Sequence, residues 1–122
     1  MHLDLHVSTT GRHTVVQVGG EIDVASAPEL RDCLHQIIAA GSRQLVLDLR
    51  QVHFMDSVGL GVLVGAHRRL LGQDYGGQPI HLVCANGPIE RILRATGLDR
   101  VFSLHATVAD ALGSDRPEAE PV

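Results

Sequence analysis

The sequence predicts a single α/β domain: a mixed, mostly parallel sheet of about five strands with four helices, in the order β-β-α-β-α-β-α-β-α. Three observations carry this prediction. The chain has 122 residues, the size of one domain. Its apolar residues alternate between a period of about two and a period of about 3.6, and strands alternating with helices imply a parallel sheet with helices packed on it. One strand segment, Leu45-Val46-Leu47, is apolar on successive residues, as in a strand covered on both faces.

The elements follow in order. Leu3–Ser8 places Leu3, Leu5 and Val7 on one side of a first strand and Asp4, His6 and Ser8 on the other. A turn at Gly11 leads to a second strand over His13–Val18, antiparallel to the first. Gly19-Gly20 is expected to stop it, with Glu21-Ile22-Asp23 leading to a helix. Ser26 and Glu29 have capping-box spacing, and Pro28 fits a first turn, where its missing N–H does no harm. Leu30, Cys33, Leu34, Ile37 and Ile38 then share one helical face, and Gly41 ends the helix.

A third, central strand is expected over Gln44–Leu49, then a loop from Arg50 to Asp56 and a second helix over Ser57–Leu71. Ile80–Cys84 reads as the fourth strand. Asn86 can cap a third helix, in which Ile89, Ile92, Leu93 and Thr96 share a face and which Gly97 follows. Val101–Leu104 is a short fifth strand, and a last helix runs from Thr107 to Gly113. Residues 1–113 form the domain; the acidic, Pro-bearing residues 114–122 are expected to be a disordered tail.

Composition excludes several chemistries. All 10 basic residues are Arg, so no P-loop, Schiff-base or protein-kinase Lys is available. With 14 acids the formal charge is −4, a poor footprint for nucleic acid, and two Phe, one Tyr and no Trp make no base-stacking platform. Cys33 and Cys84 form no metal or redox motif and read as small core residues in a reducing cytoplasm. The N-terminus is not a signal peptide, and the apolar run Val58–Ala66 is too short to span a bilayer. The eight His have no metal spacing, so neither metal nor cofactor is expected. Met55 stands where a nucleophile elbow needs Gly, and from Gly59 the sixth residue of a dinucleotide fingerprint is Val64, so no enzyme is expected. His53 reads as a rim residue rather than a base for Ser57, and Arg68 and Arg69 as complements to the dipole of the second helix.

The informative stretch runs from Asp48 to Gly61. With Asp56 as N-cap, its carboxylate can accept the N–H of Gly59. Ser57 is then the first helical residue, its hydroxyl unused in capping, beside the positive end of the helix dipole. Gly59, Gly61 and Gly65 each cost the helix about 1 kcal/mol against Ala, which suggests close approach to the sheet or to a partner.

From Leu47 to Arg69 the sequence resembles the signature region of the STAS family, and within it the bacterial anti-sigma factor antagonists. The residues that carry the resemblance are Asp56-Ser57 followed by Gly59-Leu60-Gly61, together with Gly20-Glu21-Ile22-Asp23 before a capped helix. Val58 stands where the family often has a small residue. The element order agrees from Leu3 to Leu112.

The resemblance implies a binding protein that captures an anti-sigma factor and so frees a sigma factor, acting on transcription without touching nucleic acid or membrane. It implies that the anti-sigma factor is also a serine kinase, that Ser57 is the phosphorylated residue, and that a metal-dependent serine phosphatase resets it. It assigns partner contact to Asp23, Asp56, Ser57, Val58, Gly59, Leu60 and Gly61, with Glu21 evenly placed between a contact and a solvated loop residue. A cytoplasmic monomer or weak dimer is expected. The alternative is a stand-alone STAS subunit of a larger assembly, a lipid-transport ATPase complex or a stress-signalling scaffold, with no phospho-switch.

Overall fold

A computed structural model describes residues 3–72, 78–85 and 87–113. The elements are β1 (Asp4–Thr10), β2 (His13–Ile22), α1 (Ala27–Ala39), β3 (Leu45–Met55), α2 (Ser57–Leu71), β4 (His81–Val83), α3 (Pro88–Ala95), a 3-10 turn (Leu98–Arg100), β5 (Ser103–His105) and α4 (Val108–Gly113). The predicted order of strands and helices is the observed one. The expected cap at Asn86 and the tail 114–122 lie outside the described residues.

The strands lie side by side in chain order, β1-β2-β3-β4-β5. β1 is antiparallel to β2, and every other pair is parallel. Each parallel connection steps the same way across the sheet, so right-handed crossovers put α1, α2 and α3 on one face. Leu30, Leu34, Leu63, Leu70 and Leu93 pack there against Val16, Leu45, Leu47 and Leu82. The alternate strand positions Val15, Val46 and Val83 point to the other face, where α4 covers them through Ala111. That two-sided burial explains the unbroken apolar run at Leu45-Val46-Leu47.

The structure corrects three sequence expectations. β2 does not stop at Gly19-Gly20 but continues to Ile22, and Arg50–Met55 is not a loop but the second half of β3. The two strands stay paired to their ends, Ile22 against Met55. The pairing shifts twice, with β3 supplying the extra residue each time, between Asp48 and Gln51 and between Val52 and Phe54. These are β-bulges, which bend and twist a strand.

Asp48 holds the first bulge. Its Oδ1 accepts the Arg50 N–H at 3.1 Å, while the Arg50 guanidinium donates to both carboxylate oxygens at 2.9 and 2.7 Å. Burial acts to raise the Asp48 carboxyl, but these bonds outweigh it and hold the group below its ordinary range. Gly19 lies against this bulge: a Cβ there would sit 3.4 Å from that of Gln51. Gly20 has a φ of +108°, which a side chain would resist. The glycine pair lets a bulged strand continue.

The third correction concerns the start of α1. Ser26 makes no capping bond and Glu29 does not close a box; its carboxylate accepts the N–H of Leu3 instead. Asp23 organises the entry, as described below.

Of the two cysteines, Cys84 is buried and Cys33 half-buried. Burial pushes the Cys84 thiol up to about 11, so it packs as a neutral thiol at neutral pH.

His67 of α2 is buried against Phe102, ring edge to face at 5.1 Å, and its Nδ1 has no hydrogen-bond partner among the described residues. Burial lowers its pKa from the ordinary 6.5. A histidine that resists protonation when folded contributes stability above its unfolded pKa and loses it as pH falls through about 6.5 toward the lower folded value. His67→Leu should therefore flatten the loss of urea stability between pH 8 and pH 5.5. Equal pH dependence in variant and wild type would remove His67 as the cause.

Candidate functional site

The site forms where β2 and β3 end together. Because Ile22 pairs with Met55, the next residues, Asp23 and Asp56, leave the sheet side by side. A hydrogen bond from Asp56 N to Ile22 O at 3.2 Å ties the two exits.

After β3 the chain enters α2 at once. Asp56 is extended and caps the helix: its Oδ1 accepts Val58 N at 3.0 Å and Gly59 N at 3.1 Å. The expected bond to Gly59 is present, with that to Val58 beside it. Ser57 is exposed, and its hydroxyl has no partner among the described residues. The observed helix has the predicted bounds, Ser57 to Leu71.

After β2 the chain makes a turn closed by Asp23. Its Oδ1 accepts the N–H groups of Ala25 and Ser26, both at 3.0 Å. Ser26 Oγ accepts Asp23 N at 3.0 Å and donates to Glu21 O at 2.6 Å. The bond from the Ser26 N–H is the main reason the Asp23 carboxyl lies below its ordinary range. Asp23 is half-buried and its Oδ1 serves the turn; Glu21 is half-buried at the end of β2.

The glycines of α2 divide into two kinds. Gly59 is buried, and a Cβ on it would stand 2.7 Å from both Ile22 Cγ2 and Met55 Cγ. It lets the first turn of α2 lie directly on the Ile22–Met55 pair. Gly61 and Gly65 lie on the outer side of the helix, and a Cβ on either would meet nothing within 4 Å. Of the two expected uses, close approach to the sheet is found at Gly59 and not at Gly61 or Gly65, whose open faces leave approach by a partner. Val58 and Gly61 face outward, while Leu60 is half-buried against the core.

Sequence reasoning missed two residues here. Val24 on the Asp23 turn is 70% exposed, and Phe54, one residue before Met55, is 49% exposed. With Val58, 42% exposed, they are exposed apolar residues on the segments that carry Asp23 and Ser57. The signal to be read was Phe54 itself, a rare aromatic in this chain beside a polar strand end. His53 is exposed on β3, and Arg68 and Arg69 lie exposed in the last turn of α2, where they complement its dipole. Among the described residues no His, Cys, Asp or Glu cluster could hold a metal ion. No helix among them is long and apolar enough to cross a membrane.

The site thus offers an exposed hydroxyl at an Asp56-capped helix N-terminus, on a segment that leaves the sheet beside the Asp23 turn. The neighbouring segments, residues 21–30 and 54–66, contain neither Lys nor Arg.

Comparison with known proteins identifies the family of the fold. The family model of the STAS domain matches residues 4–111. The anti-sigma-B factor antagonist of Staphylococcus aureus (strain NCTC 8325 / PS 47) is 34% identical over 98 residues, 80% of this chain and 88% of that protein. The anti-sigma-F factor antagonist RsfB of Mycobacterium tuberculosis (strain CDC 1551 / Oshkosh) is 35% identical over 100 residues, 80% of this chain and 77% of that protein. The crystal structure of an anti-sigma factor antagonist from Mycobacterium paratuberculosis superposes with a TM-score of 0.85 at 33% identity, covering 94% of this chain and 95% of that one.

The two kinds of glycine predict opposite effects. Gly59→Ala should destabilise the domain by about 1–3 kcal/mol through overpacking. Gly61→Ala and Gly65→Ala should each stabilise it by up to about 1 kcal/mol. Urea midpoints for the three variants test this; a Gly59→Ala midpoint equal to wild type would contradict the packing.

Proposed function

This chain belongs to the STAS domain family, and from that premise we propose that it is an anti-sigma factor antagonist switched by phosphorylation of Ser57. In the unmodified state it binds an anti-sigma factor that is also a serine kinase, and the sigma factor is released. Phosphorylation ends the complex, and a metal-dependent serine phosphatase restores it. The chain acts as kinase substrate and binding partner, not as an enzyme.

The observation that carries this reading is the exposed Ser57 hydroxyl at the first position of an Asp56-capped helix, beside the Asp23 turn. The roles divide accordingly. Ser57 accepts the phosphate. Val58 and Gly61 give direct contact, and Val24 and Phe54 extend the apolar surface. Asp56 and Asp23 hold the two chain exits and face the partner with the rest of their carboxylates. Gly59 and Leu60 seat the helix, so they act on the partner through its position.

The physics of the switch follows from charge. A phosphate adds about −1.5 to −2 charge. Asp56 already takes the N–H groups of Val58 and Gly59 that would otherwise receive an anion at this helix end. The segments that end β2 and β3 and follow them, residues 21–30 and 54–66, carry carboxylates and no Lys or Arg. Burying such a charge unpaired in an interface costs about 3–5 kcal/mol, and each factor of ten in affinity needs only about 1.4 kcal/mol. Exposed in the free protein, the same phosphate stays hydrated and leaves the fold intact.

Intact mass and fragment mapping of the protein from its own cells test the reading. One phosphate on Ser57 is expected; its absence under every growth condition would favour the assembly-subunit alternative. With the anti-sigma kinase in hand, Ser57→Ala should bind like wild type and escape control. Ser57→Asp should lose about tenfold or more in affinity by calorimetry. A Ser57→Asp variant that binds as tightly as wild type would sink the switch.

A further inference from the structure

We propose that the outer edge of β1 is an interaction surface for a second copy of this chain, the two β1 strands pairing antiparallel about an axis at Val7 and joining the two sheets into one. This inference does not depend on the switch.

Among the described residues β1 has β2 on one side and no strand on the other. The two-residue turn Gly11-Arg12 makes Thr10 and His13 the pair that closes the hairpin. Backbone groups then alternate along the strand: those of His6, Ser8 and Thr10 point to β2, and those of Leu5, Val7 and Thr9 point outward. Thr14, opposite Thr9, has the matching phase on β2, since its N–H points away from β1 to Gln44 O at 2.9 Å. Leu3 lies two residues before Leu5, and its N–H is taken by the Glu29 carboxylate at 3.2 Å. Among the described residues no such partner reaches the outward groups of Leu5, Val7 or Thr9.

Proteins normally blunt an edge of this kind. β5, the other outer strand, is blunted by its length of three residues. β1 has seven residues, pairs with β2 without a register shift, and contains no Pro, Lys or Arg. From Leu5 to Thr10 it has no Asp or Glu either. Val7 lies beside Val16, on the face that α1, α2 and α3 cover, and is nevertheless 45% exposed.

The strand is complementary to itself. An axis at Val7 sets Val7 against Val7, Leu5 against Thr9 and Asp4 against Thr10. Each outward N–H and C=O of Leu5, Val7 and Thr9 then meets a group of the opposite kind. The two exposed Val7 side chains cover each other on the helix face as a β-branched pair. Charge fits the same arrangement. Asp4 starts β1 and Arg12 lies two residues beyond its end, and neither has an ion pair among the described residues. Antiparallel pairing brings Asp4 of each copy to the end where Arg12 of the other stands, and it sets no like charges opposite. One strand pair buries less than the about 1,200 Å² of a stable interface, so the dimer is weak and forms with rising concentration.

The test is sedimentation equilibrium of the full chain from about 10 μM to about 1 mM, the range of weak association, with amide NMR along the same series. A monomer–dimer equilibrium is expected, in which the Leu5, Val7 and Thr9 amides gain protection from exchange as the dimer forms. Val7→Lys puts two like charges at the axis and should weaken association about tenfold or more. Asp4→Arg and Arg12→Asp should each weaken it, and the double variant should restore it; these variants decide the matter if Val7→Lys fails to fold. A monomer at every concentration, a dimer undiminished by Val7→Lys, or a double variant no better than either single one would overturn the proposal. So would Leu5, Val7 and Thr9 amides already protected in the dilute monomer, since the chain itself would then cover the edge. A dimer whose concentration-dependent shifts fall only at Val58 and Gly61 would overturn it too, because copies would then meet at the Ser57 end.

Discussion

The pairing of Ile22 with Met55 is the constraint on which the rest of the site depends. Two parallel strands that end in the same row deliver Asp23 and Asp56 to one edge of the sheet. The same pair forms the floor on which α2 begins, and only Gly at position 59 fits between helix and floor. The first turn of α2 is therefore fixed by contact with buried side chains and not by helix propensity, which its glycines make poor. A partner that grips this edge meets a surface already set by the core.

That pairing is reached through irregularity. Without its two extra residues β3 would end against β2 in a different register, and Asp56 would not follow the residue opposite Ile22. The Asp48–Arg50 bonds stabilise one bulge, and the glycine pair on β2 accommodates both. Asp48 is a buried charge whose neutralisation by Arg50 removes the cost of its burial, so its contribution is to geometry more than to net stability. A carboxylate near the other end of β3 thereby governs where Ser57 stands.

Much of this was legible in the residues, and each failure has a physical cause. Helix α2 was readable to its bounds because both signals are local: a capping Asp56 and a periodic apolar face through Leu63, Ala66 and Leu70. The element order was readable because the crossovers are regular. The second half of β3 was not. Its bulges place Arg50 with Gln51, and His53 with Phe54, as adjacent exposed pairs separated by buried Val52 and Met55, so the period of two disappears. Gly19-Gly20 reads as a stop because glycine is depleted in strands, and its use beside a bulge depends on a neighbour that the local sequence does not reveal. Ser26 has the right spacing for a cap, but its hydroxyl is taken up by Asp23 N and Glu21 O inside the turn and makes no bond to the helix. Pairing between distant strands decided the first two cases and side-chain bonds within one turn the third, and a periodic pattern of apolar residues registers neither.

The distribution of cost along α2 bears on what the helix is for. Gly59 costs helix propensity and gains a close contact with the core. Gly61 and Gly65 cost the same and gain nothing within the chain, since a Cβ on either would meet no atom of the fold. Stability alone would put Ala at both positions. Selection for the isolated fold therefore does not explain them, whereas the partner surface proposed at Ser57 would account for Gly61. Gly61 lies one turn from Ser57 on the outward side, with Val58 next to it. In the proposed switch, a bare backbone there would let the partner come close enough to enclose the hydroxyl, and that enclosure would turn a single phosphate from a hydrated, tolerated charge into a buried, unpaired one.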